Sequence, residues 1–415
     1  MVKKNLEEVF VTMSNKLYIC ITPFFPTPTS FRGPYVYDQV RAIAANSNYR
    51  VQVFRPKPWG SKDADYEYEG VKVHYFETVD TPSYILHGIL NGINACLFMR
   101  RVHELRIDPA DVVVAHGHTA QFAIYSLALK AENPLVKAVV QHHDPDPFTI
   151  RNGRWARKPW NATYRAKKSI DLLERVDLNL CISEFVKDSL LSFPNAPQHL
   201  YNENYREALM VLAGMKKPCI KDTYLLYNGV DCNKFYVERV QRDSTFTIGC
   251  IANFIDWKDQ ITLLRTMKAL IVSGETDIRL VLIGSGVTLG ECERYIAENA
   301  LGEYVEIRKE VDHTELRAFY NSIDIYVQPS YFEGFGCVCT EAAACGVPFM
   351  ICMHQGAAEY IASGEETLWL FEPHDHNALA EKIVYYKANR PQQTLIHSYD
   401  INELVKAYLD YVENI

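Results

Sequence analysis

Ile323-Asp324-Ile325-Tyr326-Val327, followed shortly by Glu333-Gly334-Phe335-Gly336-Cys337-Val338-Cys339-Thr340-Glu341 and Ala342-Ala343-Ala344, gives a strand pattern, a glycine turn and a helix pattern in succession. Gly334 and Gly336 leave little side chain at the turn, so backbone amides can approach a ligand closely. The next helix starts there, and its unpaired N–H groups and dipole favour an anion such as phosphate. Glu333 lies on the turn and Glu341 further into the helix. A carboxylate accepts hydrogen bonds from paired sugar hydroxyls. The pattern therefore suits a ligand with a sugar at each end and phosphates between, a nucleotide sugar.

Outward from this segment, short β-branched runs alternate with helical patterns. Lys16–Thr22, Val51–Phe54, Asp111–Ala115, Lys137–Gln141 and Leu178–Ile182 read as strands in the first half. Tyr35–Ala45, Ala120–Ala131 and a helix capped by Ser183 lie between them. Phe246–Ile251, Arg279–Ile283, Val305–Arg308 and Pro348–Cys352 continue the rhythm, with helices over Gln260–Ile271, Leu289–Glu298 and Thr314–Asn321. Such alternation predicts an α/β chain with parallel sheets covered on both faces. Two units in tandem predict two Rossmann-like domains facing across a cleft, with ligands beyond the carboxyl ends of the strands. The expected division is 1–225, an acceptor-binding domain with 1–15 as an extension; 226–395, a donor-binding domain; and 396–415, a C-terminal helix with the option of crossing back. The stretch 145–168 reads as the least regular.

With 415 residues, 48% hydrophobic and 23% charged, the chain has the composition of a soluble protein of two domains. It contains no apolar run long enough for a membrane-spanning helix, and its start lacks a signal-peptide pattern. Eleven cysteines without a secretion signal point to reduced thiols in the cytoplasm. Residues 1–220 hold 27 Lys and Arg against 22 Asp and Glu, while residues 221–415 hold 16 against 29. One half is mildly basic and the other acidic, as for domains with different partners.

Together these features resemble the retaining glycosyltransferases of family 4 (glycosyl transferases group 1), which have the GT-B fold. The likeness rests on Asn228-Gly229-Val230-Asp231 with Phe235, Leu280–Gly286, Gln328-Pro329-Ser330, Glu333–Gly336 with Glu341-Ala342, Gly346-Val347-Pro348 and Gly356-Ala357-Ala358-Glu359. The resemblance implies a sugar moved from a nucleotide diphosphate sugar to a glycan or lipid-linked acceptor in polysaccharide or glycolipid synthesis. It implies no cofactor and no metal, the nucleotide sugar being a co-substrate. Glu333 is expected at hydroxyls of the transferred sugar and Glu341 at the ribose diol. Gly334, Phe335 and Gly336 are expected to line the donor. The family's diphosphate-binding Arg then Lys fall on Asn253 and Lys258, so only the second cation is present. Family members often carry paired glycines in the first loop, where this chain has Arg32-Gly33. Gly33 is an expected donor contact, and Arg32 a candidate for the absent charge. His116 maps onto a family histidine at a strand end and His143 onto a later one near the cleft. Glu333, His116 and Lys258 are the expected catalytic set.

Arg151, Arg154, Arg157, Lys158, Arg165, Lys167 and Lys168 fall in a stretch with no acidic residue, interleaved with Trp155 and Trp160. Cations with tryptophan suit a lipid interface or a pyrophosphate-bearing acceptor. Arg151, Arg154, Trp155, Arg157, Lys158 and His143 are therefore candidate acceptor or membrane contacts. The expected location is the cytoplasm, peripheral to the inner membrane face if that stretch meets lipid. Nucleic acid is not an expected partner of an acidic chain without a recognition motif. Two other readings stay open here: a non-catalytic nucleotide-sugar-binding protein, and a GT-B-fold epimerase or phosphorylase.

Overall fold

The computed structural model describes residues 16–28, 30, 33–79, 86, 88–145, 159–195, 210, 212–238, 244–309 and 315–415. The first sheet contains β1 (Leu17–Ile21), β2 (Arg50–Pro58), β3 (Tyr66–Tyr68), β4 (Val71–Thr78), β5 (Val112–His118), β6 (Lys137–His142), β7 (Leu178–Cys181) and β8 (Thr223–Leu225). Its spatial order is β3-β4-β2-β1-β5-β6-β7-β8. Strand β3 pairs antiparallel with β4, and the other pairings are parallel. Helices α1 (Pro34–Ala45), α2 (Asn91–Glu104), α3 (Ala123–Glu132), α4 (Pro159–Leu173) and α5 (Glu184–Ser192) accompany it.

The second sheet contains β9 (Phe246–Ile251), β10 (Ile278–Ile283), β11 (Val305–Arg308), β12 (Ile325–Gln328), β13 (Phe349–Cys352) and β14 (Leu370–Phe371). Its order is β11-β10-β9-β12-β13-β14, with every pairing parallel. That is the doubly wound order, in which the chain reverses direction between its first and fourth strands. Helices α6 (Gln260–Val272), α7 (Leu289–Glu298), α8 (Leu316–Ser322), α9 (Cys337–Ala344), α10 (Glu366–Trp369), α11 (His376–Asn389) and α12 (Ile401–Glu413) follow. Strands covered on both faces are apolar throughout rather than alternating. β1 and β13 illustrate this, with every residue buried.

The chain crosses from one sheet to the other through Asn228-Gly229-Val230-Asp231 and returns beside it. Val230 bridges Asp400, and a Cβ on Gly229 would lie 2.6 Å from the Ile401 Cα. The glycine here is therefore set by backbone crossing backbone. Beyond the crossing, α12 packs on the first sheet: Ile401, Val405, Tyr408, Leu409 and Val412 share a core with Tyr18, Val114 and Val139. The Tyr408 and Tyr18 hydroxyls are 2.9 Å apart, Tyr49 donates to Glu413 at 2.7 Å, and Tyr411 donates to Asp222 at 2.6 Å.

Of the irregular stretch expected over 145–168, residues 146–158 lie outside the described residues, and Pro159–Leu173 is helical. Two local expectations are revised. The helix expected from Ala120 opens with a 3-10 turn over Ala120–Phe122 and becomes α-helical at Ala123. Strand β2 runs on to Pro58, four residues past Phe54.

Candidate active site

The switch point of the second sheet lies between β9 and β12, whose following loops part in opposite directions. The loop after β9, Ala252 to Lys258, carries the expected diphosphate residues. Its path depends on Gly284 and Gly286, whose φ values of 146° and 153° favour glycine. A Cβ on either would clash with the carbonyl of Ala252 or Phe254, respectively. Phe254 N–H donates to the Ser285 carbonyl at 2.9 Å, and the Gln260 side chain donates to the Asn253 carbonyl at 2.9 Å. Lys258 is thereby fixed at the end of a 3-10 turn, and the Asn253 side chain is exposed.

The loop after β12 brings Glu333 to meet Lys258 in an ion pair. Their side chains are 19% and 18% exposed, so the pair is largely shielded from solvent but still reachable. The turn holding Glu333 is tied down by its neighbours. Glu333 N–H donates to the Gln355 side chain at 2.6 Å, and Ala357 N–H to the Phe335 carbonyl at 2.7 Å. Gly336 then starts α9 in the left-handed region, with φ 96°. The first amides of such a helix have no intrahelical acceptor.

Glu341 lies on α9 and accepts a 2.7 Å hydrogen bond from the Tyr320 hydroxyl. Burial pushes its carboxyl up to about 7, the Tyr320 bond pulls it down, and the charge of Asp38 adds to the rise. Asp38 belongs to α1 in the other domain and is paired with Lys234. Gly33 stands at the start of α1 with φ 80°, where a Cβ would lie 2.8 Å from Phe24.

The histidines sit at the switch point of the first sheet, where β1 and β5 diverge. His116 lies deeper than expected. It is fully buried, its Nδ1 is 2.6 Å from the Tyr18 hydroxyl, and its ring stacks 4.4 Å from His118. Burial and the neighbouring His143 lower its pKa to about 3, so it is neutral. Strand alternation puts His116 and His118 on one face, and only the later one approaches the strand end. His118 Nδ1 lies 2.8 Å from His143 Nε2, and the two rings stack at 5.1 Å. The stack therefore runs from the α12 interface toward the cleft, where a Cβ on Gly334 would sit 2.5 Å from the His143 carbonyl oxygen. The structure thus brings together Lys258, Glu333, Gly334, Phe335, Gly336, Glu341 and the His143 backbone, and leaves His116 a layer beneath.

Arg32, Arg151, Arg154, Trp155, Arg157 and Lys158 lie outside the described residues. Among the described residues, no cluster of three or more His, Cys, Asp or Glu has the placement to hold a metal ion. No helix there is long and apolar enough to cross a membrane. Contacts that sequence reasoning missed are Tyr320 on Glu341, Gln355 on Glu333, and the pairing of His118 with His143.

A family described as Glycosyl transferases group 1 matches residues 236–402, and one described as Glycosyltransferase Family 4 matches residues 33–201. An uncharacterised glycosyltransferase of Methanocaldococcus jannaschii is 23% identical over 77% of this chain and 80% of its own. The capsular polysaccharide biosynthesis glycosyltransferase CapM of Staphylococcus aureus is 30% identical over 38% of this chain and 42% of its own. Among solved structures, HepE of Anabaena in complex with UDP and glucose superposes with a TM-score of 0.60 at 16% identity, over 96% of this chain and 100% of that one.

Proposed function

The chain belongs to the family 4, group 1 glycosyltransferases of the GT-B fold, and from that premise we propose that it moves a sugar from a nucleotide diphosphate sugar to a glycan or lipid-linked acceptor with retention of configuration. The observation that carries this reading is the Lys258–Glu333 pair at the switch point, beside the amides that open α9. The diphosphate lies against those amides and Lys258, and Glu341 accepts the ribose hydroxyls. Glu333 turns from Lys258 toward the hydroxyls of the transferred sugar.

As the glycosidic bond breaks, negative charge grows on the leaving phosphate, and fixed donors aimed there lower the barrier. The acceptor hydroxyl enters from the side of the first domain, on the face the nucleotide leaves. It forms the new bond to the anomeric carbon and gives its proton to the departing phosphate oxygen. Glu333 positions the sugar and is not a nucleophile. The positive charge comes from Lys258 and backbone amides, so transfer is expected to persist in EDTA. The sequence of 151–168 supports a polysaccharide or glycolipid acceptor at a membrane surface. The complex of HepE with UDP and glucose supports a nucleotide donor.

Transfer from UDP-, GDP- and ADP-sugars, followed by release of the nucleotide diphosphate, tests this reading. Lys258→Ala is expected to lower kcat by about 100- to 1,000-fold, the cost of removing one preorganised charge-stabilising donor. Full activity in both Lys258→Ala and Glu333→Gln would place the chemistry elsewhere. Asn253 in place of a second cation favours one further reading, a protein that binds the donor without transferring it. Tight binding with no turnover on any acceptor would select that reading.

A further inference from the structure

The turn carrying Glu333 is gripped from both domains. Ser183, at the start of α5 in the first domain, is buried and donates its hydroxyl hydrogen to the Gly334 carbonyl at 2.7 Å. The Ser183 Oγ in turn accepts from Val186 N–H at 3.2 Å, so the hydroxyl both donates and accepts. The next two amides of α5, on Glu184 and Phe185, donate to the Glu359 carboxylate of the second domain at 2.8 and 2.9 Å. These are amides that a helix cannot satisfy internally, and a carboxylate also complements the helix dipole.

Glu359 lies in the 3-10 segment Gly356–Tyr360, the segment whose Ala357 amide holds the Phe335 carbonyl. A Cβ on Gly356 would clash with the backbone of Gly334 and Phe335, so the segment and the turn move together. Phe185 and Phe332 close the contact edge to face, with ring centroids 5.8 Å apart.

We propose that Ser183 and Glu359 form an inter-domain latch that positions the Glu333–Gly336 turn, so that closing the first domain onto the second sets the Glu333 carboxylate. Ser183 acts on the turn directly, and Glu359 acts through Gly356–Tyr360. Both are positioning residues, and their role in transfer rests on the donor-site reading above. When the domains part, the α5 amides and the Gly334 carbonyl exchange these partners for water, and the turn loses its support from the first domain.

The test compares Ser183→Ala, Ser183→Thr and Glu359→Gln with the wild-type chain, by small-angle scattering without nucleotide and by transfer kinetics. Ser183→Ala and Glu359→Gln are each expected to raise the radius of gyration. Each is also expected to lower kcat by about tenfold, with donor KM changing by less than about threefold, because the lost hydrogen bond acts on positioning and not on donor affinity. Ser183→Thr keeps both the cap and the donated bond, and is expected to match wild type in both measurements. Wild-type scattering and kcat in Ser183→Ala and Glu359→Gln would overturn the latch. So would a loss in Ser183→Thr equal to that in Ser183→Ala. If the wild-type chain bound no nucleotide diphosphate, the donor-site reading would fail on its own, and the scattering comparison would still decide the latch.

Discussion

Glu341 shows how the setting of one carboxyl converts into a pH dependence. Its pKa is pushed up to about 7, chiefly by burial. Below that value the group is largely protonated and accepts poorly from a ribose diol. Above it, the anion accepts from both hydroxyls. Nucleotide affinity measured calorimetrically is therefore expected to tighten by about tenfold between pH 6 and pH 8, as one proton is lost. Glu341→Gln removes that proton, so its profile keeps only the titration of the phosphate. The stability effect has the opposite sign. A carboxyl whose folded pKa is raised holds its proton more tightly when folded, so stability falls as pH rises from the ordinary carboxyl range through about 7. Glu341→Gln is thus expected to melt above wild type at pH 8 and to lose that advantage near pH 4. Parallel wild-type and variant profiles in both measurements would remove Glu341 from the ribose site. Asn253 is the other informative residue at this scale. Asn253→Arg adds a cation at an exposed position beside the proposed diphosphate path and is expected to tighten nucleotide diphosphate binding several-fold at low salt, with the gain shrinking as salt is added.

At the scale of elements, the loops matter more than the strands that carry them. Gly286 has φ 153° and crosses the Phe254 carbonyl closely. In Gly286→Ala the new Cβ clashes with backbone, and the Ala252–Lys258 loop must shift. The expected cost is about 2 kcal/mol or more in stability, together with loss of nucleotide binding, read by thermal unfolding with and without nucleotide. Glycine at such a crossing is visible in a sequence because no other residue replaces it without strain. This is why the glycine turns and the buried parallel strands, such as β1, β10 and β13, were legible. The β3–β4 hairpin was not. Its turn residues Glu69 and Gly70 both have positive φ, and a glutamate there gives little warning of a turn. Helix α2 was missed for a related reason, because Asn91-Gly92 at its start reads as a turn. Partnerships between side chains distant in sequence were hidden too. That His118 meets His143, or that Tyr320 meets Glu341, follows from strand register and helix docking, which no local pattern encodes.

Over the whole molecule, the return of the chain links the two domains, to which the proposed function gives different tasks. Helix α12 belongs by position to the end of the chain and by packing to the first sheet. Leu409 is 4% exposed there, in the core shared with Tyr18, Val114 and Val405. Leu409→Ala deletes buried methyl groups and leaves a cavity, at an expected cost of about 2–5 kcal/mol. That loss falls on the first domain, because α12 packs there against strands of its sheet and against α1. The proposed donor groups Lys258, Glu333 and Glu341 all lie in the second domain, so a nucleotide binding them would stabilise that domain by mass action. Multidomain chains need not unfold in one step. Calorimetry of Leu409→Ala is therefore expected to separate two transitions: an early one that ignores nucleotide diphosphate, and a later one that rises with its concentration. If nucleotide raised the early transition instead, the donor would be held chiefly by the histidine end of the cleft, and the roles given to the two domains would have to be exchanged.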